Sequence, residues 1–355
     1  MSRVLVSSPM GDANSSRVAP VELPQELVEC AIPGENHAAV EIQTGVLKDF
    51  AQEAIARQVR RLQKHHKAFL KTHGVEAIHQ MRVCLRRLRM LMELLNPMLE
   101  LPPDFKVKRL RKLGQELGTV RDYDILLENL QAFFFPTSST ASSIQLSRSQ
   151  QSILLSLEKQ LKQHRKTALK NAIAAVESSA YQRTEKLLEQ WLQSPQCSDL
   201  GSLPSSEFVP ELLLPAWSFL WCHSGWVANL PLAESWQQQQ PIFTNLHDLR
   251  KVIKGVRYQL ESCAEFYATT IDDEIQRLKT LQDTLGRLQD LAVFQQFLLT
   301  ACQTQPQLNP SLLLQPIAQD LSTTWAAWLE LRAYFYTLDY RTYIREEITH
   351  PVGLG

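Results

Sequence analysis

His79, Arg82, Arg86 and Arg89 follow one another at steps of three, four and three residues, and Glu93 comes four further on. At 100° per residue these five side chains share one stripe of an α-helix. The same stripe recurs 168 residues later as His247, Arg250, Lys254, Arg257 and Glu261. Three cations stacked at three- and four-residue spacing repel one another by about 0.2–0.5 kcal/mol per pair on an isolated helix. A solvated surface gains nothing from that arrangement, so a ladder written twice needs an anion to meet. The competing explanation is internal pairing with carboxylates, Glu93 with Arg89 and Glu261 with Arg257 among them. Arginine offers planar, multi-donor contacts to phosphate oxygens, lysine a point charge, and histidine a donor that gains charge as the pH falls.

The charge around the first ladder points the same way. Between Arg57 and Lys112 fifteen Lys and Arg face only four Asp and Glu, although the whole chain balances 37 basic against 37 acidic residues. Arg57, Arg60, Arg61 and Lys64, with Lys67 and Lys71 beyond them, form a basic helix ahead of the ladder. Lys108, Arg109 and Lys112 open the helix after it, and Arg165 lies in a further basic stretch, 159–170. A concave surface lined by such stripes focuses potential strongly. The stripes lack interleaved aromatics for stacking bases, and no groove-reading motif or zinc finger is written, so a bare phosphate chain fits better than nucleic acid.

Other residues with chemical potential are read more plainly. Asp122, Asp124 and Asp290 could serve as acid catalysts or as ligands for a divalent metal. Asp122 and Asp290 follow the helix beside each ladder, and a supporting role, holding arginine side chains, is preferred. His65 and His66 are adjacent and point about 100° apart, which disfavours a shared ion. His223 reads as a packing residue. No P-loop, nucleophile elbow or metalloprotease spacing occurs, and neither a metal nor a cofactor is expected.

These stripes need helices to carry them, and the sequence supplies little else. From Thr44 onward apolar residues recur at three- and four-residue steps, and no alternating strand pattern appears. Met81, Leu85, Leu88, Met92 and Leu95 form a core stripe about 100° from the first ladder. Leu249, Ile253, Val256, Leu260 and Cys263 do the same beside the second. Breaks fall at Asn96-Pro97, Pro102-Pro103, 136–149, 194–210 and at Pro241 after a glutamine run. The fold class is therefore all-α. The register of the repeat continues into the next helix, where Arg109, Arg111, Leu117, Gly118 and Asp122 match Arg277, Lys279, Leu285, Gly286 and Asp290. Two similar helical bundles follow, residues 45–193 and 211–345, joined by a linker at 194–210 and preceded by a flexible tail, 1–44.

With 44% apolar residues and only 12 glycines in 355, the chain is neither disordered nor built on glycine-rich loops. Its six cysteines are scattered, and Cys84 and Cys263 sit in apolar helical patterns as core residues. No secretory signal or membrane-length apolar run is written, so a reduced, cytoplasmic protein is expected. Trp217, Phe219, Leu220, Trp221 and Trp226 are expected to pack as core rather than to form a partner or membrane face.

The segments HQMRVCLRRLRMLMELL (79–95) and LGTVRDYDILLENL (117–130) resemble the N-terminal half of a CHAD domain, the conserved histidine α-helical domain. LHDLRKVIKGVRYQLESCAEFY (246–267) and LQDTLGRLQDLAVF (281–294) resemble its C-terminal half. The resemblance spans about residues 45–345. It implies two pseudo-symmetric four-helix bundles flanking a basic central pore or groove, and binding of inorganic polyphosphate without catalysis. His79, Arg82, Arg86, Arg89, His247, Arg250, Lys254 and Arg257 would line that pore, which would also take phosphate or sulfate. Polyphosphate granules are then a candidate association. The resemblance often comes with a triphosphate-hydrolysing CYTH domain. Residues 1–44 are too few for one and no Glu-x-Glu-x-Lys strand is present, so no triphosphatase activity is expected. By the repeat register Arg57, Arg60 and Arg61 fall on Gly225, Ala228 and Asn229, which predicts a pore with most of its charge on the N-terminal half. An adaptor for RNA or an acidic protein, and a metal-dependent phosphohydrolase, are the alternatives.

Overall fold

The computed structural model describes residues 45–136, 145–231, 235–268 and 270–352. The expected tail, 1–44, and most of the expected loop at 136–149 lie outside them. The described residues contain ten α-helices, and only two isolated bridges take the extended form. The first half holds α1 (Leu47–Thr72), α2 (Val75–Leu94), α3 (Val107–Phe134), α4 (Arg148–Val176) and α5 (Ser179–Gln193). The second holds α6 (Ser205–Trp221), α7 (Trp236–Cys263), α8 (Thr270–Thr304), α9 (Pro310–Phe335) and α10 (Leu338–Thr349). Each half thus has four longer helices and a shorter fifth. Sequential helices pack on one another, α1 on α2, α2 on α3 and α3 on α4, and likewise α6 to α9. The halves meet where α2 packs on α7 and α3 on α8.

Local signals set several boundaries. Ser147 and Gln150 cap α4 reciprocally, as Ser235 and Gln238 cap α7. Asn309 caps α9, whose first residue is Pro310. α1 ends at His73, held in the left-handed conformation with φ 48°, and Gly74 begins the turn into α2. The predicted core stripes of α2 and α7 are buried throughout, so the ladder faces are fixed by what the adjacent stripe, about 100° round the helix, must hide. Cys84 and Cys263 are buried as well.

Three expectations change. The break at 194–210 is shorter, because α6 begins at Ser205 and takes in Pro210 and Pro215. The glutamine run 237–240 forms the first turns of α7, with Pro241 inside that helix. The linker that remains is strapped to the first half. Glu100 N donates to Gln196 O (3.1 Å), Ser198 N to Met98 O (3.0 Å) and Leu47 N to Leu203 O (2.9 Å). The aromatic segment is core at Trp217, Leu220, Trp221 and Trp226, with Trp226 stacked on Trp328 and Tyr336. Phe219 is the exception, 63% exposed on the outer side of α6. No described helix is long and apolar enough to cross a membrane.

Candidate anion-binding site

The two ladders come together where α2 meets α7. The crossing is close: a Cβ on Gly255 of α7 would lie 3.6 Å from Met90 Sδ of α2. Each ladder also leans on the next helix of its own half. Arg82 lies over Gly118 of α3, its Nε 3.6 Å from where a Cβ would stand. Arg250 lies over Gly286 of α8, with Nη2 only 2.7 Å from that point, and its Nε donates to the Gln282 carbonyl oxygen (3.2 Å). The matched glycines of the repeat are therefore places where a guanidinium lies flat on a helix.

Arg82 and Arg86 from α2 and Arg250 and Lys254 from α7 form one electrostatic cluster. The Lys254 amine is pushed down to about 6, first by burial and then by Arg250, Arg86 and Arg82, with Asp290 opposing. Burial and then Arg86 lower the Arg82 pKa, while Asp122 supports its charge. Burial lowers Arg250, Asp290 raises it, and Arg86 from the other half lowers it again. His247 falls to about 4 through burial, Lys251 and Arg250, and its buried Nδ1 has no hydrogen-bond partner. His79 is lowered by burial although its side chain reaches solvent. Asp122 is likewise exposed, yet surrounded deeply enough for burial to raise its pKa. Burial also raises Asp290, with Arg250 pulling it back.

The decisive feature is pairing. Among the described residues, Arg82, Arg86, Arg89 and Lys254 form no side-chain hydrogen bond and no ion pair within 4 Å. Asp122 and Asp290 bias the cluster from a distance, and neither forms such a pair. Glu93 favours the charge of Arg89 in the same through-space way.

Other candidates are engaged elsewhere. Arg57 is bound to Glu265 by both terminal nitrogens (3.2 and 3.1 Å), a bridge between the halves. Arg60 pairs with Glu53 (3.0 Å) in a groove between α1 and α5, away from the ladders. Arg61 lies near His65 and Cys84. Arg165 pairs with Asp124 across α4 and α3. Arg109 donates to the Asp104 carbonyl oxygen (3.1 Å). Lys64, Lys108 and Lys112 are exposed. Arg257 departs furthest from its expected place. It is buried, ion-paired with Glu261, bonded to Gln282 Oε1 (3.2 Å) and laid over Tyr258. Glu261 is also held by Arg87 from α2 (3.1 Å). The internal pairing weighed against an anion site thus holds at Arg257 and not at Arg89.

Two basic residues near the cluster were not among the candidates. Arg121 acts on His79, Arg82, Asp122 and Asp290 while bound to Glu128. Its matched position is Gln289, so the repeat gave no signal for it. Arg111 stands beside Arg89, and its match, Lys279, was the available clue. His66 pairs with Glu185 (3.3 Å), and His223 Nδ1 accepts from Gly225 N (3.0 Å). The described residues include no group of three or more His, Cys, Asp or Glu placed to hold a metal ion.

The chain is an all-helical protein whose two halves bring unpaired basic side chains together, and comparison places it more closely. The CHAD domain family model matches residues 53–299, and the chain belongs to the CHAD domain family. Its fold is similar to the crystal structure of the CHAD domain from the plant Ricinus communis, at 21% identity and a TM-score of 0.56, over 90% of this chain and 98% of that one. It is also similar to PptA from Streptomyces chartreusis, at 16% identity and a TM-score of 0.62, over 81% and 99% of the two chains. No curated protein matches the sequence.

Proposed function

We propose that this protein binds inorganic polyphosphate, without catalysis, in the groove where α2 crosses α7. The observation that carries the reading is the meeting of Arg82 and Arg86 with Arg250 and Lys254, three guanidiniums and an amine from two halves, of which Arg82, Arg86 and Lys254 lack any acidic partner within 4 Å among the described residues. Holding like charges together in a partly desolvated groove costs free energy, and a bound polyanion returns it. Arginine donors suit phosphate oxygens, and the stacked spacing suits a chain of them. Membership of the CHAD family supports the same ligand.

The test is titration of the purified protein with long-chain polyphosphate at about 50 and 200 mM salt, where a multi-phosphate contact loses affinity steeply. The R82A/R86A/R250A variant, checked for folding by circular dichroism, should lose at least about a hundredfold in affinity, given roughly 1.5–3 kcal/mol per charged hydrogen bond. R60A, whose guanidinium is committed to Glu53 on the same helix, should bind like wild type. Retained binding in the triple variant would overturn the reading. RNA competing equally per phosphate would favour a general polyanion adaptor, and phosphate release dependent on Mg²⁺ would favour a hydrolase.

A further inference from the structure

We infer that a long phosphate chain continues from the central cluster past Arg89 and Arg111, along α2 and α3, and not past the matched residues of α7 and α8. This rests on the polyphosphate reading and adds the path that the chain takes.

The inference comes from comparing the far ends of two ladders that match residue for residue. On α2 the ladder runs on from Arg86 to Arg89, which is half-buried and free of any ion pair within 4 Å among the described residues. Arg111, at the start of α3, lies close enough to disfavour the charge of Arg89, and it is exposed and equally unpaired. From Arg82 to Arg89 the helix rises about 10 Å, so these groups extend the cationic surface well beyond a single phosphate.

On α7 the step after Lys254 is closed. Arg257 is 8% exposed. Its donors are taken by Glu261 and Gln282, and its face covers Tyr258, with 4.3 Å from Cζ to the ring centre. Glu261 is fixed in turn by Arg87. On α8 the cation matched to Arg109 is closed in the same manner. Arg277 is ion-paired with Glu274, a fully buried carboxylate that also accepts from Tyr340 Oη (2.6 Å). A guanidinium whose donors and charge are spent on a carboxylate has little left for a phosphate. Lys279 remains without a partner, but Arg257, which would link it to Lys254, is unavailable.

The experiment compares tripolyphosphate with long-chain polyphosphate on full-length wild type, R89A/R111A and K279A, each checked by circular dichroism. The double variant should bind the long chain about tenfold or more weakly, with a log–log salt slope shallower by about two, one unit for each lost phosphate contact. Its tripolyphosphate affinity should be unchanged, because the central cluster is intact. K279A should bind both chains like wild type. Equal long-chain binding by R89A/R111A and wild type would overturn the path, as would a loss in K279A matching that of the double variant. Wild type that binds neither chain would instead sink the polyphosphate reading on which the path stands.

Discussion

At the scale of single residues the free protein keeps part of its site uncharged. Lys254 titrates at about 6, and His247 at about 4. Both groups are therefore mainly neutral at pH 7 without a ligand: burial with Arg250, Arg86 and Arg82 disfavours the charge of Lys254, and burial with Lys251 and Arg250 that of His247. A bound polyanion reverses the sign of that surrounding potential and raises the Lys254 pKa. Binding near neutral pH should take up a proton, and affinity should weaken as the pH rises from about 6 to 8. Calorimetry in buffers of different ionisation heat should find about one proton taken up at pH 7.5 by wild type and near zero by K254M. Absence of uptake in wild type would mean that Lys254 is already charged in the free protein. The same shift bears on stability. The unfolded chain binds a proton at Lys254 that the native state releases, so this residue's contribution makes the free protein more stable as pH rises from about 6 towards 10.

Most of these groups were legible as residue types at a spacing. Which of them are available was not. Arg257 and Arg89 occupy matched positions with a glutamate four residues on, and locally they differ in the next residue, Tyr258 against Met90. The amide and guanidinium partners come from Gln282 on α8 and Arg87 on α2, which only the packed structure brings to Arg257 and Glu261.

At the scale of elements, the ladder helices and their buried stripes were legible because the apolar period of an amphipathic helix is a local property. Boundaries marked by proline were read less well. Pro210, Pro215 and Pro241 lie inside helices, each giving up one backbone donor where packing sustains the turn. The matched glycines were legible as a repeat but not as a function. Their geometry now separates them. A Cβ on Gly118 would find Arg82 at ordinary contact distance, 3.6 Å, whereas one on Gly286 would sit 2.7 Å from Arg250 Nη2 and 3.1 Å from Nε and Cζ. G118A should therefore stabilise α3 by about 0.5–1 kcal/mol, the helical advantage of alanine, and leave binding unchanged. G286A should keep its fold, because a side chain can swing aside, but lose affinity as Arg250 is lifted from the Gln282 carbonyl. Thermal melts and polyphosphate titration of the two variants check the contrast. Equal binding by both would show that the placement of Arg250 on α8 is immaterial.

At the scale of the whole molecule, the neutral total conceals how charge is sorted along the contact between the halves. On its flanks opposite charges and amides join them: Arg57 to Glu265, Arg87 to Glu261, and Arg287 to Asn129 (2.9 Å). At its centre the same contact brings together Arg82, Arg86 and Arg250, none of them in an ion pair within 4 Å among the described residues. The flanking bridges hold the halves together against this repulsion. On the proposed reading the central cluster draws on both halves, so one polyphosphate chain would touch both at once. R86A and R250A should then be coupled: their effects on polyphosphate affinity should depart from additivity by about 0.5–3 kcal/mol, the range for residues sharing one partner. Binding to a short chain should saturate at one anion per protein. Two sites, each served by its own ladder, would give two anions and additive losses. A double-mutant cycle with tripolyphosphate, read by calorimetry for affinity and stoichiometry together, separates a shared groove from a duplicated one.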